Sequence, residues 1–208
     1  MTETAVSAHR DEQQQVMLAM ILMILAMLLL PAIDAIAKGL AGSVPPGQIA
    51  WSRFFFQLLL LAPFVLWRGG LEIGNYLWAH VARGVLIALA TLCFFTAVRV
   101  MPLADAIAVF FVQPFIVTLL AAGLLGETFG WRRLVAIVCG FLGAMLIIKP
   151  SYEVFGLTAL LPVGAALCFS LYFILTRWLT RTQTALGMQF LSGLFGCLAM
   201  SIALLVGG

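Results

Sequence analysis

The chain has 208 residues, of which 64% are hydrophobic and only 9% charged, against roughly 25% charged in an ordinary soluble domain. That leaves too little polar surface to cover a water-surrounded globule, so the chain belongs in a bilayer. The net charge of +3 is too small to argue for nucleic acid. Four cysteines, Cys93, Cys139, Cys168 and Cys197, fall in different apolar runs without CxxC or Cys/His spacing, which disfavours a metal site or disulfide framework and favours small packing residues.

Residues 1–16 are hydrophilic and read as a short disordered tail. The run that follows, Met17 to Ala37, exceeds the roughly 7–15 residues of a signal-peptide core, so it reads as a retained first span. Further apolar stretches of about 20 residues match the length a helix needs to cross the hydrocarbon. They place a second span near Gln48–Trp67, a third near Leu77–Val98, a fourth over Ala104–Leu125 and a fifth over Trp131–Ile148. A sixth lies near Phe155–Leu175 and a seventh near Leu186–Val206. The connections carry turn chemistry: Val44-Pro45-Pro46-Gly47, Arg68-Gly69-Gly70, Met101-Pro102, Gly126-Glu127 and Lys149-Pro150. The fold class is therefore an all-α integral membrane protein with about seven transmembrane helices.

Positive charges set the expected orientation. With a cytoplasmic amino terminus the inside flanks carry Arg10, Arg68, Arg83, Arg132, Arg133, Arg177 and Arg181, and the outside ends carry Lys38, Arg99 and Lys149; Arg53, inside a span, is left out. Trp67, Trp78, Trp131 and Trp178 then all fall at the cytoplasmic interface, where indole rings favour the headgroup region. Small residues mark close helix contacts: Ala136, Gly140 and Ala144 in the fifth span, Ser192 and Gly196 in the seventh.

Intramembrane polar groups are the candidate substrate-binding residues, because a charge there is costly unless paired or wetted. Asp34 and Lys38 stand at i, i+4 near the outer end of the first span and share a face. Arg53 lies about five residues, or roughly 7–8 Å, into the second span from the same side. These three form either an outward-facing cluster that orients a polar substrate, or an Asp34–Lys38 pair beside an Arg53 that snorkels to the headgroups. Gln113 and Pro114 sit midway along the fourth span, where the proline frees a carbonyl and the amide can bind a ligand or a neighbouring helix. Gln57 and Tyr172 are further candidates, with packing as the alternative. Glu127, ahead of Arg132 and Arg133, reads as structural. No Ser/His/Asp set, phosphate loop or metal-ligand spacing appears. The expectation is no enzyme, no catalytic residue, no cofactor and no metal.

Several elements occur in order: Arg83-Gly84, Phe94-Phe95-Thr96-Ala97, Met101-Pro102-Leu103-Ala104-Asp105-Ala106, Gln113-Pro114-Phe115, Leu125-Gly126-Glu127, Gly140-Phe141-Leu142-Gly143-Ala144 and Lys149-Pro150. Together they resemble the EamA repeat of the drug/metabolite transporter superfamily. Gly156-Leu157 and Gly164 to Tyr172 resemble the opening of a second such unit. The resemblance implies a tail at 1–16, a first five-helix repeat at 17–150 and a partial second repeat at 155–208. Five spans, an odd number, force the next copy to enter inverted, with a substrate site near the midplane between repeats. Family members usually have ten helices, so the chain reads as a truncated or partial product whose remaining helices come from a missing second half or a homo-dimer. The implied function is secondary transport of a small organic metabolite, a vitamin, nucleoside-like compound, amino acid or amine, across the bacterial inner membrane by alternating access. The rival is a non-transporting membrane module that packs on another subunit.

Overall fold

Apolar runs bounded by glycine and proline leave the backbone one way to satisfy its polar groups inside lipid, the helix. The computed structural model describes residues 3–68, 76–126, 130–148 and 157–207, and among them helices account for nearly the whole chain, with no strand. These are α1 (Glu3–Leu40), α2 (Pro46–Arg68), α3 (Leu77–Val100), α4 (Leu103–Phe110), α5 (Gln113–Leu125), α6 (Trp131–Ile148), α7 (Leu160–Leu179) and α8 (Ala185–Gly207). Among the described residues six stretches are long and apolar enough to cross a bilayer: Val16–Leu40, Pro46–Trp67, Leu77–Val100, Leu103–Leu124, Leu157–Leu179 and Ala185–Val206. Helix α6 adds a seventh apolar helix, with its apolar centre at Leu134–Gly143. The protein is an all-α integral membrane protein.

The chain divides into two compact units, Met1–Gly39 and Leu40–Gly208. In the first, the helix begins at Glu3, so the expected disordered tail is instead helical. Residues 3–30 contain no glycine or proline, and Glu12 and Gln13 to Gln15 are good helix formers. In the second unit α3 is the central element and packs most extensively on α7 and α8, while α2 lies against α8 and α5 against α7. Trp51 donates from Nε1 to Ser201 Oγ at 2.8 Å, near one end of the α2/α8 contact, and Gln57 donates from Nε2 to the Gln189 carbonyl at 3.0 Å nearer the other, so α2 and α8 run antiparallel.

The α3/α8 crossing is very close. A Cβ built at Gly84 would stand 2.4 Å from Phe195 Cβ, and one at Gly196 would stand 3.0 Å from the Phe54 ring. Of the small-residue face expected at Ser192 and Gly196, Gly196 makes room for the Phe54 ring of α2. The matching face of α6 makes no such contact: Ala136 and Gly140 are exposed and a Cβ at Gly140 would meet nothing within 4 Å. Small residues permit approach but do not by themselves supply a partner.

The fourth span is also not one kinked helix. It breaks at Phe111-Val112 into α4 and α5, with Pro114 in the first turn of α5. Proline lacks the N–H that would bond Phe110, four residues back, and its ring crowds that carbonyl, so α4 ends at Phe110. Helix α5 closes on Gly126 at φ 66°, a left-handed cap that glycine adopts without strain. Expectations for Gly69, Gly70, Glu72, Glu127, Lys149, Pro150 and Gly156 lie outside the described residues.

Candidate functional site

Polar groups of α2, α3, α7 and α8 meet in one layer, buried at Arg83, Tyr172 and Met188, half-buried at Gln57 and Thr176, and exposed at Gln189. Its centre is Arg83, counted from the sequence among the loop charges but only 1% exposed on the inner face of α3. It stands six residues into the helix, about 9 Å from its start. Its Nε donates to Thr176 Oγ1 (3.0 Å), Nη1 to the Met188 carbonyl (3.2 Å) and Nη2 to the Tyr172 hydroxyl (3.3 Å). The guanidinium carbon sits 5.0 Å from the Tyr172 ring centroid, where the ring quadrupole attracts a cation. Tyr172 passes the chain on by donating to Gln189 Oε1 at 3.4 Å, and the Gln189 carbonyl accepts from Gln57. Gly84, next to Arg83, is what allows α8 close enough for the Met188 carbonyl to be reached.

Among the described residues every partner of Arg83 is neutral. Asp105, itself buried in the first turn of α4, lies near the far end of α3, where its neighbour Ala106 packs against Ala97 and Val98, roughly 20 Å along the helix from Arg83. One turn before Arg83, His80 is 0% exposed, and neither ring nitrogen has a hydrogen-bond partner among the described residues.

The residues singled out from the sequence fall into three groups. Gln57 and Tyr172 join the Arg83 layer. Arg53 donates from Nη1 to Thr91 Oγ1 at 3.4 Å, at a second polar level. Thr91 is eight residues, about 12 Å, further along α3 than Arg83. Gln113 opens α5 half-buried, and its carbonyl accepts from Ser170 Oγ at 3.4 Å, two residues before Tyr172 on α7. Asp34 and Lys38 are half-buried and sit one turn apart on α1, within the other compact unit. Sequence reasoning missed Arg83, His80, Thr176 and Gln189 as site residues. For Arg83, His80 and Gln189 the available signal was their occurrence inside apolar runs, whereas Thr176 follows directly on the sixth run.

The end of the bundle nearest Arg83 is aromatic. Tyr76 and Trp78 at the start of α3 meet Trp178 at the end of α7, with ring centroids 5.3 and 5.8 Å away. Trp67, Trp78, Trp131 and Trp178 are all exposed, as an interfacial belt requires.

Long apolar helices with ionisable groups buried where they cross define a multi-pass membrane protein. Residues 17–149, more than half of the chain, match the EamA-like transporter family, and the chain belongs to that family. It is 28% identical over 162 residues to an S-adenosylmethionine uptake transporter of Rickettsia prowazekii, covering 77% of this chain and 55% of that protein. It is 36% identical over 141 residues to a riboflavin transporter of Rhizobium johnstonii, covering 67% and 46%. With the pseudopaline exporter CntI of Pseudomonas aeruginosa it shares 31% over 149 residues, covering 68% and 51%. The chain thus spans about half the length of these curated relatives. A crystal structure with 22% sequence identity superposes with a TM-score of 0.62 over 83% of this chain and 60% of the other, a likeness of fold.

Proposed function

We propose that the chain carries out, or forms part of, secondary transport of a small organic metabolite across the bacterial inner membrane by alternating access, with its amino terminus cytoplasmic. The observation that carries this reading is the polar layer, centred on the buried Arg83, in which Gln57 and Arg83, of α2 and α3, bond to Tyr172, Thr176, Met188 and Gln189, of α7 and α8. In this proposal residues 17–150 are the first five-helix repeat and 155–208 open an inverted second one, so the layer lies at the boundary between repeats, where transporters of this design place their substrate. The relatives named as transporters of S-adenosylmethionine, riboflavin and pseudopaline support a small organic cargo. Family membership supports transport over catalysis.

Arg53 would meet the substrate at the outer mouth, and Gln113, Gln57 and Tyr172 deeper in. The test is movement of labelled S-adenosylmethionine and riboflavin, inward and outward, in cells expressing the chain, with Arg53→Ala compared at matched membrane abundance. The expected outcome is at least a tenfold loss of transport in the variant. Unchanged transport removes Arg53 from the site, and no movement above vector-only cells for either compound in either direction counts against the whole reading.

A further inference from the structure

We propose that Arg83 and His80 together form the subsite for a carboxylate on the transported metabolite, which makes the cargo a small carboxylate rather than a neutral or purely cationic compound. The proposal rests on the transport reading and narrows it. A guanidinium has five N–H donors in a planar fork. In Arg83 the described contacts use three of them, all on neutral acceptors, so neither its charge nor its donor capacity is met. Two of those bonds, at 3.2 and 3.3 Å, are longer than the usual 2.9–3.0 Å of an N–H···O bond. A carboxylate would replace them with shorter, charge-assisted ones in the bidentate geometry that suits arginine.

His80 supplies a second, independent indication. It is fully buried and both ring nitrogens are unpartnered among the described residues. It precedes Arg83 by three residues and so shares its face of α3. A neutral imidazole donates one hydrogen bond, and a carboxylate held by Arg83 has spare lone pairs to accept it. Tyr172, whose hydroxyl accepts from Arg83, can turn its single O–H from Gln189 Oε1, 3.4 Å away, to the same group. Both side chains are closed off in this arrangement. The carboxylate enters when α7 and α8 part from α3, the movement that alternating access requires at this interface, and its arrival exchanges weak neutral contacts for an ion pair.

The experiment measures ligand-induced thermal stabilisation of the purified full chain in detergent. The probes are S-adenosylmethionine and phenylalanine, each against its decarboxylated form, with riboflavin as the compound that carries no carboxylate. The expected result is stabilisation by a carboxylate-bearing probe with at least tenfold weaker binding of its decarboxylated partner. That ratio should fall towards one in Arg83→Gln and to an intermediate value in His80→Gln, with Arg83→Lys as the variant that keeps the charge and loses the fork. Because the ratio compares two ligands on the same variant, a general loss of stability does not mimic it. Equal binding of the paired probes, stabilisation by riboflavin alone, or an unchanged ratio in Arg83→Gln overturns the subsite and leaves transport standing. Stabilisation by none of the probes overturns the subsite and weighs against the transport reading as well.

Discussion

Arg53 and Arg83 are both arginines inside apolar helices, yet their surroundings differ. Arg53 is half-buried beside Thr91, whose hydroxyl also donates to the Ile87 carbonyl at 2.8 Å. Arg83 is fully enclosed, with neutral acceptors on α7 and α8. Thr91→Val keeps the shape of the side chain and removes the Arg53 acceptor. The expected effect is a several-fold fall in transport at unchanged membrane abundance, because a neutral hydrogen bond contributes only about 0.5–1.5 kcal/mol. Flux per immunoblotted protein checks it. At this scale the sequence singled out Arg53 as a charge within an apolar run and left Arg83 among the flanking charges. It did not show their partners, because Thr176 and Met188 lie 93 and 105 residues from Arg83 along the chain.

Two elements depart from what the local pattern suggests, and each yields a prediction. At Gly84 a methyl group has no room, since its carbon would stand 2.4 Å from Phe195 Cβ. Gly84→Ala must therefore push α3 and α8 apart, at the roughly 1–3 kcal/mol usual for overpacking. That corresponds to a melting temperature in detergent lower by about 5 °C. Gly140→Ala, with nothing within 4 Å of the new carbon, should melt no lower than the parent, because alanine favours the helix. The same melting assay separates the two. Pro114→Ala restores the N–H that α4 lacks as an acceptor's partner at Phe110, so α4 and α5 should fuse into one helix. If the break lets the span flex during transport, flux falls while the melting temperature holds or rises.

For the whole molecule the alternation of span directions and the arginine distribution combine into one expectation. Ser43, between α1 and α2, and Arg181, between α7 and α8, belong to opposite faces of the membrane. With the four native cysteines replaced, Ser43→Cys should react with an impermeant maleimide in intact cells and Arg181→Cys only after the membrane is opened. The reverse pattern would invert the orientation. The spans and their order were legible in the linear chain, because they depend on local quantities: the apolar length that matches the bilayer, and the glycines and prolines that interrupt it; the fourth span, continuous in the sequence reading, is divided by the structure into α4 and α5. Which faces meet is not such a quantity. In lipid an apolar side chain is equally at home against a neighbour or a tail, so hydrophobicity does not mark the inside of the bundle. Only the folded arrangement distinguishes Gly84 and Gly196, which bring helices together, from Gly140, which does not, and turns Arg83 from an apparent loop charge into the centre of a polar layer shared by α2, α3, α7 and α8.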